Sequence, residues 1–360
     1  MSNGLENVVA AETVLSEVDG NAGRLVIRGV PLEALAGRTS YEETLALLWD
    51  GFFPALPADV AEAVGAARAR VFAALEDALP LVAGRDPFDA MRALTALLPD
   101  GTDIEAALAL AAAPAVLLPA LVRLRDGKAP LAPDRRLPHA TDMLRMMTGA
   151  LPAPKAASAL ETYLVTVADH GLNASTFAAR VVASTGAGLN SSVLAALGAL
   201  KGPLHGGAPG PVLDMLDAVG DPGHAASWIA AELAAGRRLM GFSHRIYRVR
   251  DPRADALKGA LGRLGHSQGP VPRMALAARV EAEALAALRR HKPDRPLDTN
   301  VEFYTALLLE ALGFPRDTFT AVFSAGRVLG WIAHAREQAA TGKLIRPKSI
   351  YVGPQPREAA

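Results

Sequence analysis

Over most of the chain the apolar positions recur every three to four residues, the spacing that gathers them on one face of an α-helix. The first such segment follows Ser40-Tyr-Glu-Glu43, a capping box in which serine and glutamate satisfy each other's backbone N–H groups. Leu45, Leu48 and Trp49 form the apolar face behind it, and Gly51 closes it. Residues 58–79 are alanine-rich and periodic, and Pro80 predicts their end. Asp86-Pro87 opens a further helix. Thr102-Asp-Ile-Glu105 reads as a second capping box, with Pro114 and Pro119 expected to kink or split the helix that follows. After a proline-rich connector from Lys128 to Pro138, helices are predicted over 139–150, 155–169, 174–185 and 190–200. The last two are nearly all apolar, as in helices buried on several sides, in a core or at a subunit interface. A long helix over 315–340 carries Phe319, Phe323, Leu329, Trp331 and Ile332 on its apolar face, and an extended tail follows Gly342.

One stretch departs from this period. Thr13-Val-Leu-Ser-Glu-Val18 and Arg24-Leu-Val-Ile-Arg28 flank the turn-rich Asp19-Gly-Asn-Ala-Gly23 and predict a β-hairpin. With no alternation of strands and helices, the expected fold is all-α with this small N-terminal hairpin. Between 204 and 310 turns and charges are denser, as in Gly220-Asp-Pro-Gly223 and His291-Lys-Pro-Asp-Arg-Pro296. The expected division is a large helical, dimer-forming domain (1–203 and 311–360) and a small helical domain (204–310).

Charge and composition narrow the function. Lys+Arg and Asp+Glu are each 37 in 360 residues, with a sequence pI near 7.1, which argues against a general nucleic-acid binder. The absence of cysteine excludes disulfides, thiolate metal sites and a cysteine nucleophile. The N-terminus lacks a basic start and a long apolar core, and charged residues, glycine or proline interrupt the apolar runs before a bilayer-spanning length of about 20 residues. A cytoplasmic protein that binds no membrane is expected. No phosphate loop, HExxH, CxxC or GxSxG is present, and Gly186-Ala-Gly188 lacks the third glycine of a dinucleotide fingerprint. Neither a metal nor a bound cofactor is expected.

The densest chemistry lies in Met240-Gly-Phe-Ser-His-Arg-Ile-Tyr-Arg-Val-Arg-Asp-Pro-Arg253. It places His244 on a loop, with Arg245, Arg248, Arg250 and Arg253 close behind. Asp251-Pro252 starts a helix, so Arg253 falls in its first turn, a position poor for helix stability but good for gripping an anion. In a chain of balanced charge, such a cluster points to a small anion.

Two further segments, Gly202-Pro-Leu-His-Gly-Gly-Ala208 and Asn300-Val-Glu-Phe-Tyr304, complete a set. In this order and spacing, from Gly4 to Pro354, the chain resembles the citrate synthase family. The resemblance implies condensation of acetyl-CoA with oxaloacetate to give citrate and CoA, in a homodimer. By resemblance Glu302 is the base, His205 the donor to the thioester oxygen and His244 the donor to the ketone. Arg253 and Arg346 bind the carboxylates. His170 and Asn173, within Ala168-Asp-His-Gly-Leu-Asn-Ala-Ser175, help hold the dicarboxylate, and Met240, Gly241 and Phe242 contact CoA. His205 sits just before a helix expected to start near Pro209, whose positive end favours the neutral ring. The chain departs from the family pattern in Glu302 for the usual Asp, Ser243 for Gly, and Pro209-Gly-Pro where Asn-Glu is commoner. The family also takes an arginine from the partner subunit's tail, and Arg357 is the only arginine after Arg346. Two other readings are 2-methylcitrate synthase, which uses propionyl-CoA, and a non-catalytic, ligand-binding or regulatory dimer.

Overall fold

The computed structural model describes Leu5 and residues 8–206, 209–242, 247, 249–268, 272–291 and 297–354. The fold is helical with one small sheet. β1 (Ser16–Asp19) and β2 (Arg24–Ile27) pair antiparallel, Ser16 opposite Ile27 and Asp19 opposite Arg24. The Asp19 carboxylate accepts the N–H groups of Asn21 and Ala22 and closes the turn. A third strand, β3 (Val30–Pro31), pairs antiparallel with β2; at two residues it is too short to show any alternation in sequence.

The short α1 (Leu32–Leu35) leads to α2 (Tyr41–Trp49), where the expected capping box is formed: Glu43 N–H donates to Ser40 Oγ at 3.0 Å and Ser40 N–H to Glu43 Oε2 at 2.7 Å. After α3 (Val60–Leu75), Pro80 does not end a helix; it sits in the first turn of α4 (Leu79–Val82), where its missing N–H costs no hydrogen bond. Asp86 caps α5 (Pro87–Thr95). The cap of α6 (Ile104–Arg125) is Asp103 rather than Thr102: its carboxylate accepts the Ala106 N–H at 2.9 Å.

α6 also runs unbroken through Pro114 and Pro119, so the split that the sequence allowed does not occur. Every residue from Leu110 to Val122 is buried, with α3, α5 and two later helices, His139–Thr148 and Phe319–Thr341, packed around it. That burial outweighs the two backbone bonds the prolines remove. The helix is long and apolar enough to cross a bilayer, so not every apolar run is interrupted first; most of it is buried inside the protein as a core helix.

The remaining helices are α7 (His139–Thr148), α8 (Pro154–Thr166), α9 (Ala174–Ala183), α10 (Leu189–Leu200), α11 (Pro209–Val219), α12 (Ala225–Ala234), α13 (Pro252–Gln268), α14 (Pro272–His291), α15 (Val301–Ala311) and α16 (Phe319–Thr341). α16 is the second axis of the core and packs against α2, α6, α8, α9 and α10. Its backbone is tied to α2 by Trp49, whose indole N–H donates to Leu329 O at 3.0 Å. α13 lies against α8 on one side and α15 on the other.

Candidate active site

The first wall of the site is the turn from α8 into α9. Gly326 and Gly330 let α16 press against it: a Cβ at Gly330 would lie 2.4 Å from Ala168 O, and one at Gly326 2.6 Å from Leu164 O. Between them Arg327 enters the interior, its Nε donating to Val167 O at 2.5 Å and its guanidinium 4.7 Å from the Phe323 ring centroid. Asp169 is buried beside His334, 3.2 Å away, and accepts the Ser16 hydroxyl, so the β-sheet is tied to this turn. His170 follows, with Nε2 3.2 Å from the Tyr247 hydroxyl.

Asn173 caps α9, its Oδ1 accepting the Thr176 N–H at 3.1 Å. The same oxygen lies 2.8 Å from the Ser175 hydroxyl, which also receives the Trp331 indole N–H at 3.1 Å. His205, in the turn after α10, brings Nε2 to 2.8 Å from Ser175 Oγ. Ser175 thus has one proton and two acceptors. Given to Asn173, it leaves His205 donating from Nε2; given to His205, it puts the ring proton on Nδ1. Asn173 is therefore a cap and a competitor for the proton that sets the His205 tautomer.

The second wall is made by three segments joined through main chain. Gly241 has φ +82°, and a Cβ there would meet Phe303 at 2.9 Å, so a glycine is required. Its carbonyl accepts the Asn300 N–H at 3.0 Å, and Phe242 bridges Thr299. Met240–Phe242 is thereby laid across the start of α15. Asn300 caps that helix: its Oδ1 accepts the Glu302 N–H at 3.0 Å, while its Nδ2 is 3.4 Å from Glu302 Oε2. Asp251 grips Arg253 in a fork, Nε to Oδ1 at 3.0 Å and Nη2 to Oδ2 at 2.8 Å, and accepts the Val301 N–H at 3.2 Å. One buried carboxylate thus joins the start of α13 to the start of α15.

The charges in this pocket are tuned by burial. The Glu302 carboxyl is pushed up to about 7 by desolvation, against the pull of Arg253 and the hydrogen bond from Asn300. Arg327 is lowered to about 10 by burial, with Asp169 holding its charge and Arg253 opposing it. The two buried guanidiniums, Arg253 and Arg327, lie within electrostatic reach of each other, so negative charge near both would stabilise each.

Of the residues expected from sequence, Glu302, Arg253 and Met240–Phe242 form one constellation, and His170 joins it through Tyr247, whose ring lies 5.8 Å from the Arg253 guanidinium carbon. Asn173 and His205 form a second, through Ser175. His244, Ser243 and Arg357 lie outside the described residues. Arg346 is not brought in: it lies exposed on the tail after α16, and among the described residues it forms no ion pair. Sequence reading missed Arg327, Asp251, Tyr247 and Ser175. Arg327 left one signal, a lone charge between two glycines of an otherwise apolar helix face.

The class described by this geometry is a helical enzyme with a half-buried carboxyl near neutrality, set beside two buried guanidiniums. The comparisons agree. The model of the citrate synthase family, described as the citrate synthase C-terminal domain, matches residues 4–348. Over 364 residues the chain is 42% identical to a putative citrate synthase 2 of Mycobacterium tuberculosis, covering 98% of this chain and 93% of that one. It is 36% identical over 370 residues to the 2-methylcitrate synthase of the same organism, covering 99% and 92%. The citrate synthase of the archaeon Thermoplasma acidophilum, solved in a ternary complex with carboxymethyl coenzyme A and oxaloacetate, superposes with a TM-score of 0.85 at 29% identity, covering the whole of this chain. The chain belongs to the citrate synthase family.

Proposed function

We propose that the protein condenses acetyl-CoA with oxaloacetate to give citrate and CoA, with Glu302 as the base. The observation that carries the assignment of roles is the Glu302 carboxyl, raised to about 7 by burial beside Arg253. A base with a pKa near the working pH is suited to taking a proton from the weakly acidic methyl of a thioester. Oxaloacetate, binding first, neutralises Arg253 and Arg327 and so removes the strongest pull on the Glu302 proton affinity. The carboxylate becomes a better base when the thioester arrives. His205 donates from Nδ1 to the developing enolate oxygen, its Nε2 accepting the Ser175 hydroxyl proton in a hydrogen bond. His244 donates to the ketone oxygen as the enolate carbon attacks. Water then cleaves the new thioester. These groups supply the chemistry without a metal or a bound cofactor.

Thiol release from acetyl-CoA plus oxaloacetate tests the reading, with propionyl-CoA as the comparison. Faster turnover of acetyl-CoA is expected; the reverse makes the protein a 2-methylcitrate synthase, and release from neither removes the catalytic reading. The propionyl-CoA alternative is kept because a relative of that activity aligns over nearly the whole chain. One methylene separates the acyl groups, worth about 1–3 kcal/mol in a pocket. No observation favours a non-catalytic dimer.

Arg346 is assigned to the site of a second copy. Its tail is exposed in the single chain, with Leu344, Ile350, Tyr351 and Val352 all turned to solvent, as suits a segment that lies against a partner. In a homodimer, chains carrying Glu302→Gln and chains carrying Arg346→Gln should each be inactive alone. Mixed after reversible dissociation, they form hybrids with one intact site, recovering roughly a quarter of the parent activity. No recovery, in hybrids verified by mass, places Arg346 in its own chain's site.

A further inference from the structure

The catalytic reading leaves one buried carboxylate behind the site unused. Glu281 lies on α14, buried, with all its lone pairs directed at the elements that form the second wall. Its Oε2 accepts the Lys258 ammonium of α13 at 2.8 Å and the Tyr304 hydroxyl of α15 at 2.6 Å. Its Oε1 accepts the Thr299 hydroxyl at 2.8 Å and lies 3.5 Å from Arg250 Nη1. Burial alone would raise its pKa, yet the donors from Lys258, Tyr304 and Thr299 hold it below the ordinary carboxylate value, so it is an anion at neutral pH.

Each arm ends next to a working residue. Thr299 adjoins Asn300, the cap that holds Glu302. Arg250 adjoins Asp251, which forks onto Arg253 and binds the first N–H of α15. Tyr304 lies two residues beyond Glu302 on the same helix. Arg250 is itself held by Asp255, and Asp298 lies 3.8 Å away, so the arm is braced on both sides. Four donors on three separate segments therefore share one acceptor group. Their common anchor ties α13 to the start of α15, beside the direct link through Asp251.

We infer that Glu281 is the positioning residue of the reaction: it sets the reach of the Glu302 carboxylate relative to Arg253, and hence to the dicarboxylate bound there. The inference rests on Glu302 being the base. It also bears on the longer side chain at position 302. Glu places its oxygens about one methylene further out than Asp, a displacement of the order of 1 Å that costs about a hundredfold in rate unless the helix is set back to match. Glu281 is the group on α14 that determines how far back α15 sits.

The test is Glu281→Gln in the full-length enzyme, read by kcat, KM for each substrate and the pH profile, beside the double variant Glu281→Gln/Lys258→Met. The amide keeps the volume but offers one acceptor oxygen where four donors converge. The expected result is a kcat lowered roughly ten- to a hundredfold, with KM for oxaloacetate changed much less and the acidic limb of kcat displaced. The double variant removes the cation left facing an amide; it should regain thermal stability without regaining kcat. If kcat per folded enzyme recovers with stability, or the single variant turns over at the parent rate with an unmoved limb, Glu281 is structural only and the inference falls. Glu302→Gln assayed in parallel separates the two readings: an active Glu302→Gln overturns the base assignment, and this inference with it. An inactive Glu302→Gln beside an undiminished Glu281→Gln overturns the positioning role alone.

Discussion

Glu302→Gln should lower the condensation rate by about 10²–10⁴-fold, because the amide keeps the shape of the side chain but cannot accept the methyl proton. Binding of a dicarboxylate should survive, since Arg253 keeps its fork to Asp251 and Arg327 its place on α16. Glu302→Asp should also be slower than the parent, because this site accommodates the longer side chain; a faster Asp variant shows instead that the site retains the geometry of a shorter base. The pH dependence follows from the same carboxyl. The base works as a carboxylate, and burial raises its pKa to about 7. Activity in kcat/KM is therefore present above that value and lost as the pH falls through it, rather than near the 4.5 of an ordinary glutamate. A stopped assay from pH 5 to 9 at limiting oxaloacetate, where kcat/KM reports the ligand-free enzyme, reads the limb; a midpoint near 4.5 refutes the burial argument.

Arg327→Met should raise the dissociation constant of oxaloacetate by roughly a hundredfold or more, the loss expected when one partner of a buried charge pair is removed. Methionine follows the path of the arginine stem, so packing against Phe323 is largely kept. The free enzyme should lose little thermal stability. Arg327 bears the cost of burial and the repulsion of Arg253, against the attraction of Asp169 and one bond to Val167 O. Calorimetric titration with oxaloacetate, beside a thermal melt of the ligand-free protein, measures both. An unchanged affinity with a large drop in melting temperature makes Arg327 a structural rivet.

Much of this was legible in the sequence where one local rule decides the outcome. Ser40 and Glu43 formed their capping box because a cap depends only on neighbours three residues apart. Asn300 and Glu302 were found together only through the resemblance of Asn300–Tyr304 to a family motif; the cap that Asn300 forms at that helix start is the local feature beneath it. The errors share another cause. Pro80 was read as a stop, and Pro114 and Pro119 as kinks or splits, but the cost of a proline depends on its place in the helix and on what is buried around it. Asp251 was read as a cap alone, although its fork to Arg253 and its reach to Val301, fifty residues away, are tertiary. Arg327 was hidden for the same reason: one charge on an apolar helix looks like an exposed position until the opposing segment is known. The exposed Arg346 could not be placed because sequence pattern does not say whose site a tail reaches.

The sharing of Asp251 has a consequence for how such a site diversifies. Its carboxylate holds both Arg253 and the start of the helix that carries Glu302, so, on the proposed roles, a substitution that adjusts acceptor recognition also moves the proton acceptor. Changes on that side are coupled and seldom additive. The Met240–Phe242 segment is different. It is fastened by the Gly241 carbonyl and the Phe242 backbone, so the side chain of Met240 can change without breaking either attachment. On the roles that the family resemblance implies, drift in this scaffold is channelled: a new thioester is within reach of single steps, whereas a new keto acid demands several at once.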